Sequence, residues 1–181
     1  MKYIFIVYND STNAFLRYGD VPTFAEVAKQ AHDGEFAVYV PDGVLDPTGG
    51  APNLAIFEAH SHAVVDADAE RVRQQFITPG GGQALEYNEV RAELERYDAV
   101  IAASGTPVDS DYPFVAADAA ARDMTVAASM DEVRAARDAW IVIGAKIRAA
   151  RLAAKAAVTS ATSLPTMAKA AIIDWAAVLA P

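Results

Sequence analysis

Between Glu132 and Lys155 the apolar residues Val133, Ala136, Trp140, Ile143, Ile147, Ala150 and Ala154 recur at alternating steps of three and four. Only a helix gathers such positions onto one side, so this stretch has to be a long helix with one sticky face, able to reach about position 160. "SMDE" at 129–132 sets Ser129 as N-cap with Glu132 three residues on, the spacing of a capping box. A second series, Tyr87, Val90, Leu94, Tyr97 and Ile101, repeats the same steps, and Gly105 is placed as the residue after that helix. Alanine, dense after position 115, favours close packing of helices over a large aromatic core. The two seams can pair with each other or with copies in other chains. They single out Tyr87, Leu94, Tyr97, Trp140, Ile143 and Ile147 as interface residues.

The amino end has a different period. Residues 3–8 are β-branched and aromatic, and "NDSTN" leads into "AFLRYG", which predicts a β-hairpin with a five-residue loop. "TFAEVAKQA" predicts a short helix with a Thr23–Glu26 capping box, ended by Gly34. "EFAVYV" and "NLAIFEAHSHAVV" read as two further strands on either side of the turn-rich "PDGVLDPTGGAP". From Asp66 the period becomes 3.6, with Val72 and Phe76 on one stripe of a helix begun by Asp66 or Asp68. "TPVDSDYP" reads as a loop and "FVAADAAARDM" as a short helix, and Pro165 suits the first turn of a last helix carrying Ile172, Trp175 and Leu179. The fold expected is α+β: a small, mainly antiparallel β module over 1–65, then a helical domain over 66–181 arranged as hairpins, a bundle or a coiled-coil oligomer.

Several chemistries find no support. A formal charge of -9, spread along the chain, repels nucleic acid phosphates and anionic lipid. With no cysteine there is neither a disulfide framework nor a thiolate metal site. The opening "MKYIFIVYND" is too short for a signal core, and charges interrupt the later apolar stretches, so no membrane insertion and no signal peptide are expected. "FITPGGGQALEYNE" has the glycines of a phosphate loop without its lysine, hydroxyl or preceding strand; it reads as a turn in which Pro79 stops one helix and Gly80, Gly81 and Gly82 let the chain reverse, anchored by Phe76 and Leu85. His60 and His62, two apart on the expected strand, would share a face. With Asp66 or Asp68, or across a three-fold assembly, they are the one arrangement that resembles metal ligation, although two ligands do not close a site. The plainer reading is a pair of polar residues on a solvent face. No G-x-S-x-G elbow occurs, and the carboxylates of "EVRAELERYD" alternate with Arg91 and Arg96 as on a solvated helix. No catalytic residue, cofactor or metal is assigned.

Two stretches carry a specific resemblance, and a third follows them. "AFLRYGDVPTFAEVAKQAHDGEFAVYVPDGVLDP", through Leu16 to Gly19, Gln30 to Ala31 and Gly34 to Glu35, resembles the amino-terminal modules of proteins encoded in the tail-fibre region of tailed bacteriophages and prophages. "RVRQQFITPGGGQALEYNEVRAELERY" is similar to the segment Ile-Thr-Pro-Gly-x-Gly-Gln-x-x-x-Tyr that joins two helices in that family, matched by Ile77 to Gly80, Gly82, Gln83 and Tyr87. "IGAKIRAARLAAKAA", with Trp140, looks like its carboxyl half. The resemblance implies a non-enzymatic structural component of the virion tail, at the fibre, tip or baseplate. Such a component is made in the host cytoplasm, forms a homo-oligomer and docks on other phage tail proteins. An assembly chaperone absent from the finished particle is the alternative, and a small hydrolase or metal enzyme built on His60, His62 and Asp66 is a third reading.

Overall fold

The structure, a computed structural model, describes residues 2–46, 48–77 and 81–180. A three-stranded antiparallel sheet is followed by six helices, so the fold is α+β. The strands are β1 (Tyr3–Asn9), β2 (Phe15–Val21) and β3 (Glu35–Val40), in the order β2-β1-β3. The helices are α1 (Leu54–Arg73), α2 (Gly81–Ala102), α3 (Pro113–Ala121), α4 (Val126–Ser160), α5 (Leu164–Ala170) and α6 (Trp175–Leu179).

The hairpin forms as its sequence reads. Asn9 is why the loop is tight: its side-chain oxygen accepts from the backbone amides of Ser11 and Thr12 at 3.1 and 2.9 Å, and from both their hydroxyls. Asn13 takes the left-handed conformation, φ 57°, that closes the turn. Register runs from Tyr3 opposite Val21 to Val7 opposite Arg17, with a shift before Tyr8. Phe5 lies opposite Gly19, and a Cβ on Gly19 would fall 2.8 Å from the Phe5 ring, so the glycine leaves the space that the ring occupies. The expected helix at 24–30 is two 3-10 turns, Phe24–Glu26 and Ala28–Gln30, and the first keeps the Thr23–Glu26 capping box.

Both faces of the sheet are covered. Phe5 and Val7 on one side pack with Val21 and with Val27 from the 3-10 turns. Ile6, Tyr8, Val38 and Val40 on the other pack under Phe57 of α1 and Leu164 and Met167 of α5. Arg17 on β2 reaches across β1 to Glu35 on β3 with two bonds, 2.9 and 2.7 Å, and donates to the Gln30 carbonyl. The Arg17 guanidinium, together with the amide of His32, holds the Glu35 carboxyl down to about 2.

"NLAIFEAHSHAVV" is helix, not strand. Asn53 caps it by accepting from the Ile56 amide at 3.3 Å. Phe57, Ser61, Val65, Ala69 and Val72 then fall at steps of three or four, and all are buried. The division of the chain follows. Its compact units are Met1–Arg71 with Ile147–Pro181, and Val72–Lys146; the covers of the sheet come from both α1 and the carboxyl end. In the first unit Val65, Ala154, Val158 and Ala171 close a further cluster. α5 starts at a Ser163–Thr166 capping box with Pro165 in its first turn, and the chain then breaks before α6, which Asp174 caps.

The second unit is built around Leu94, Tyr112, Val115, Ala119, Val126 and Met130. Glu93, 1% exposed, turns its carboxylate onto the first turn of α3 and accepts the amides of Phe114 and Val115 at 3.0 and 2.9 Å. α2 ends in a Schellman motif in which Ser104, not Gly105, is left-handed, at φ 57°; Gly105 follows it and donates to the Val100 carbonyl. α4 begins at Val126 and is capped four residues before the expected position, by Thr125, whose hydroxyl accepts the Ala128 amide. Ser129 is buried inside the helix and bonded by Arg122 of the residues after α3. The turn residues 78–80 lie outside the described residues, Gly81 and Gly82 open α2, and the expected anchors Phe76 and Leu85 are exposed at 44% and 69%.

Two substitutions test these supports. Glu93→Ala orphans one buried and one part-buried amide and is expected to lower unfolding stability by about 2 kcal/mol, measured by urea denaturation. Glu35 has its folded value below its unfolded one, so its contribution is present above pH 4.5 and lost as pH falls towards about 2. The stability difference between the natural chain and Glu35→Gln should therefore be largest near neutral pH and shrink across that acid window.

Candidate interaction surface

The helical state of α1 separates the two histidines. Two residues apart on a helix means about 200° around its axis, so His60 and His62 cannot share a face. His60 packs edge-on against Tyr39, ring centres 5.4 Å apart, and lies beside Phe57. That burial pushes its imidazole below the usual histidine value.

His62 instead joins a polar ladder between α1 and the part of α4 after Ile147. Glu58, His62 and Asp66, four apart on α1, meet Thr159, Lys155 and Arg151, four apart on α4. Asp66 takes Lys155 at 2.8 Å and Arg151 at 2.6 Å, and these bonds, that of Lys155 foremost, hold its carboxyl below the usual range. His62 Nε2 lies 3.2 Å from both the Lys155 carbonyl and the Thr159 hydroxyl. A catalytic hydroxyl would need to give its proton to a base nitrogen, with a carboxylate behind the other nitrogen of that base. Thr159 donates to Glu58 at 2.7 Å, and the same Glu58 oxygen lies 3.9 Å from Nε2, so the ladder has no such relay. Among the described residues no three His, Cys, Asp or Glu side chains gather as a metal site, and no helix is long and apolar enough to cross a membrane. An open depression of about 370 Å³, lined by Tyr8, Pro52, Leu54, Ser163, Leu164 and Pro165, contains no acid–base pair.

The six residues read as an interface separate. Leu94 and Ile147 are fully buried within the chain. Tyr97 packs edge-on against Tyr112, 5.3 Å between ring centres. Leu94 and Ile147 thus pack inside the chain, whereas Tyr97 is half-buried at the margin of the α2–α3–α4 cluster. Trp140 and Ile143 are half-buried; the Trp140 ring lies along its own helix over Gly144, where a Cβ would sit 3.1 Å from it. Tyr87 is half-exposed, and Leu85 beside it is 69% exposed.

What sequence reasoning missed lies on the opposite side of α4. Ala135, Asp138, Val142, Ala145, Ala149 and Leu152 step by 3, 4, 3, 4 and 3, and every one of them is exposed. Ile141 flanks the series at 59% exposure, with Val142 at 58% and Leu152 at 46%. Around its middle, α4 is therefore apolar on both sides, which on a solvated helix marks a contact. The signal was present as a second heptad phase, hidden because alanine and one aspartate dilute it. A second apolar strip, Phe15, Leu16 and Tyr18, lies on β2 at an unpaired edge of the sheet.

Because the folded chain favours neutral His60, stability should be full above about pH 6.5 and fall as pH drops below it, as the unfolded chain takes up the proton. His60→Phe, which keeps the ring contact with Tyr39, should flatten that fall in thermal melts taken between pH 7 and pH 5.

No protein-family model, curated protein or solved structure matches this chain.

Proposed function

We propose that this chain is a non-enzymatic structural component of a bacteriophage tail, at the fibre, tip or baseplate, which oligomerises and docks on other virion proteins. The observation that carries the reading is the exposed row Ile141, Val142 and Leu152 on α4, in a chain whose net charge of -9 would otherwise keep it dispersed. Apolar burial at ~25 cal/mol per Å² is the driving force available to such a surface. The resemblance of three segments to tail-fibre-region proteins supplies the particle. Two of them, around Leu16 to Gly19 and from Trp140 onward, coincide with the exposed apolar strips on β2 and α4.

Glu93 holds the start of α3 and Asp66 holds α1 to α4, uses of buried or paired charge that support a structural role. Purified particles of the phage or prophage encoding the chain, run on a denaturing gel and analysed by mass, are expected to contain a band that yields the peptides of this sequence. Its absence from particles, with the protein present in the producing cells, would replace this reading with that of an assembly chaperone.

A further inference from the structure

We propose that α4 binds the α4 of a second copy, antiparallel, through Ala135, Asp138, Val142, Ala145, Ala149 and Leu152. The inference deepens the reading of the chain as an assembling protein and rests on it.

The occupant follows from the symmetry of the series. Read backwards, its steps are unchanged, so a two-fold axis between Ile143 and Gly144 lays the row on itself. Ala135 then faces the partner's Leu152, Asp138 the partner's Ala149, and Val142 the partner's Ala145. Each layer sets a larger side chain against alanine, which lets the backbones approach while the apolar groups interlock. The six positions span about 25 Å of helix, and their 3.5-residue period suits the shallow left-handed crossing of a coiled coil.

Charge fixes the direction. The acids of α4 lie before the axis, at Asp131, Glu132 and Asp138, and beyond it the charged residues to 155 are Lys146, Arg148, Arg151 and Lys155. Arg134 and Arg137, also before the axis, are already engaged, Arg134 with Asp98 and Asp131, and Arg137 with Asp138. Arg151 and Lys155 are held by Asp66, whereas Arg148 is exposed and flanks the row. In the antiparallel arrangement Asp138, whose carboxylate also holds Arg137, lies next to the partner's Arg148. In a parallel one, Arg148 would meet Arg148 and Asp138 would meet Asp138.

The experiment is the mass of the full chain in solution. Sedimentation equilibrium across the micromolar range should give twice 19.2 kDa. Val142→Glu, checked for folding by circular dichroism, should give a monomer. Asp138→Arg and Arg148→Glu are both on the surface, and each alone should weaken association about tenfold. The double charge reversal should restore it.

Because the natural chain has no cysteine, the pairing can also be trapped. Ala135→Cys together with Leu152→Cys should oxidise to a covalent dimer. The two positions are too far apart on one helix to bridge within a chain. Neither single variant should cross-link.

A monomer at every concentration, or efficient cross-linking by a single variant, as a parallel pair would give, overturns the proposal. Should the chain prove monomeric while its band stays in purified particles, the pairing fails and the tail assignment stands. A dimer absent from particles gives the reverse.

Discussion

A strand with partners on both edges and apolar residues on both faces cannot be stabilised by its neighbours in sequence alone. β1 is such a strand: Phe5, Ile6, Val7 and Tyr8 are consecutive and all buried. The hairpin supplies one edge, β3 the other, and the 3-10 turns cover one face with Val27. The second face requires a broad apolar cover, and Phe57, Leu164 and Met167 provide it. That requirement draws the end of the chain back to its beginning and makes residues 1–71 and 147–181 one unit.

The same need explains what the sequence showed and what it concealed. β1, β2 and β3 were legible because alternation and turn residues are local signals, and Asn9 and Thr23 act within three residues of themselves. α3 and the Ser163 start of α5 were legible for the same reason. α1 was not. Its opening "LAIF" is apolar on adjacent positions, and its helical phase rests on Ser61 and Ala69, which do not look like core residues until a partner helix is beside them. Reading it as a strand put His60 and His62 on one face and created a metal hypothesis that the helix dissolves. The cap of α4 was misplaced for a related cause: Ser129 has the right spacing to Glu132, but Glu132 is bonded to Arg122, and the preceding Thr125 performs the capping.

The seams show the limit of periodicity as evidence. Leu94 and Ile147 sit on seams that demand burial, and for these two the demand is met inside the chain. Periodicity reveals that a face must be covered and is silent about by what. The exposed row on α4 carries fewer large side chains and is less visible in the sequence, but it is the one left facing water. Polar residues show the complementary pattern, since Glu93 and the Asp66 ladder spend their charge on helix termini and helix register, where one acidic side chain satisfies two donors at once.

Closing the sheet with α5 has a consequence during synthesis. On the ribosome, β3 is complete roughly 120 residues before Leu164 and Met167 are made, an interval of about 6–25 s at common elongation rates. For that time the nascent chain holds Ile6, Tyr8, Val38 and Val40 without the α5 part of their cover, while β2 already presents an open edge. A trigger-type chaperone that shields apolar strands near the exit tunnel would meet this polypeptide for most of its translation.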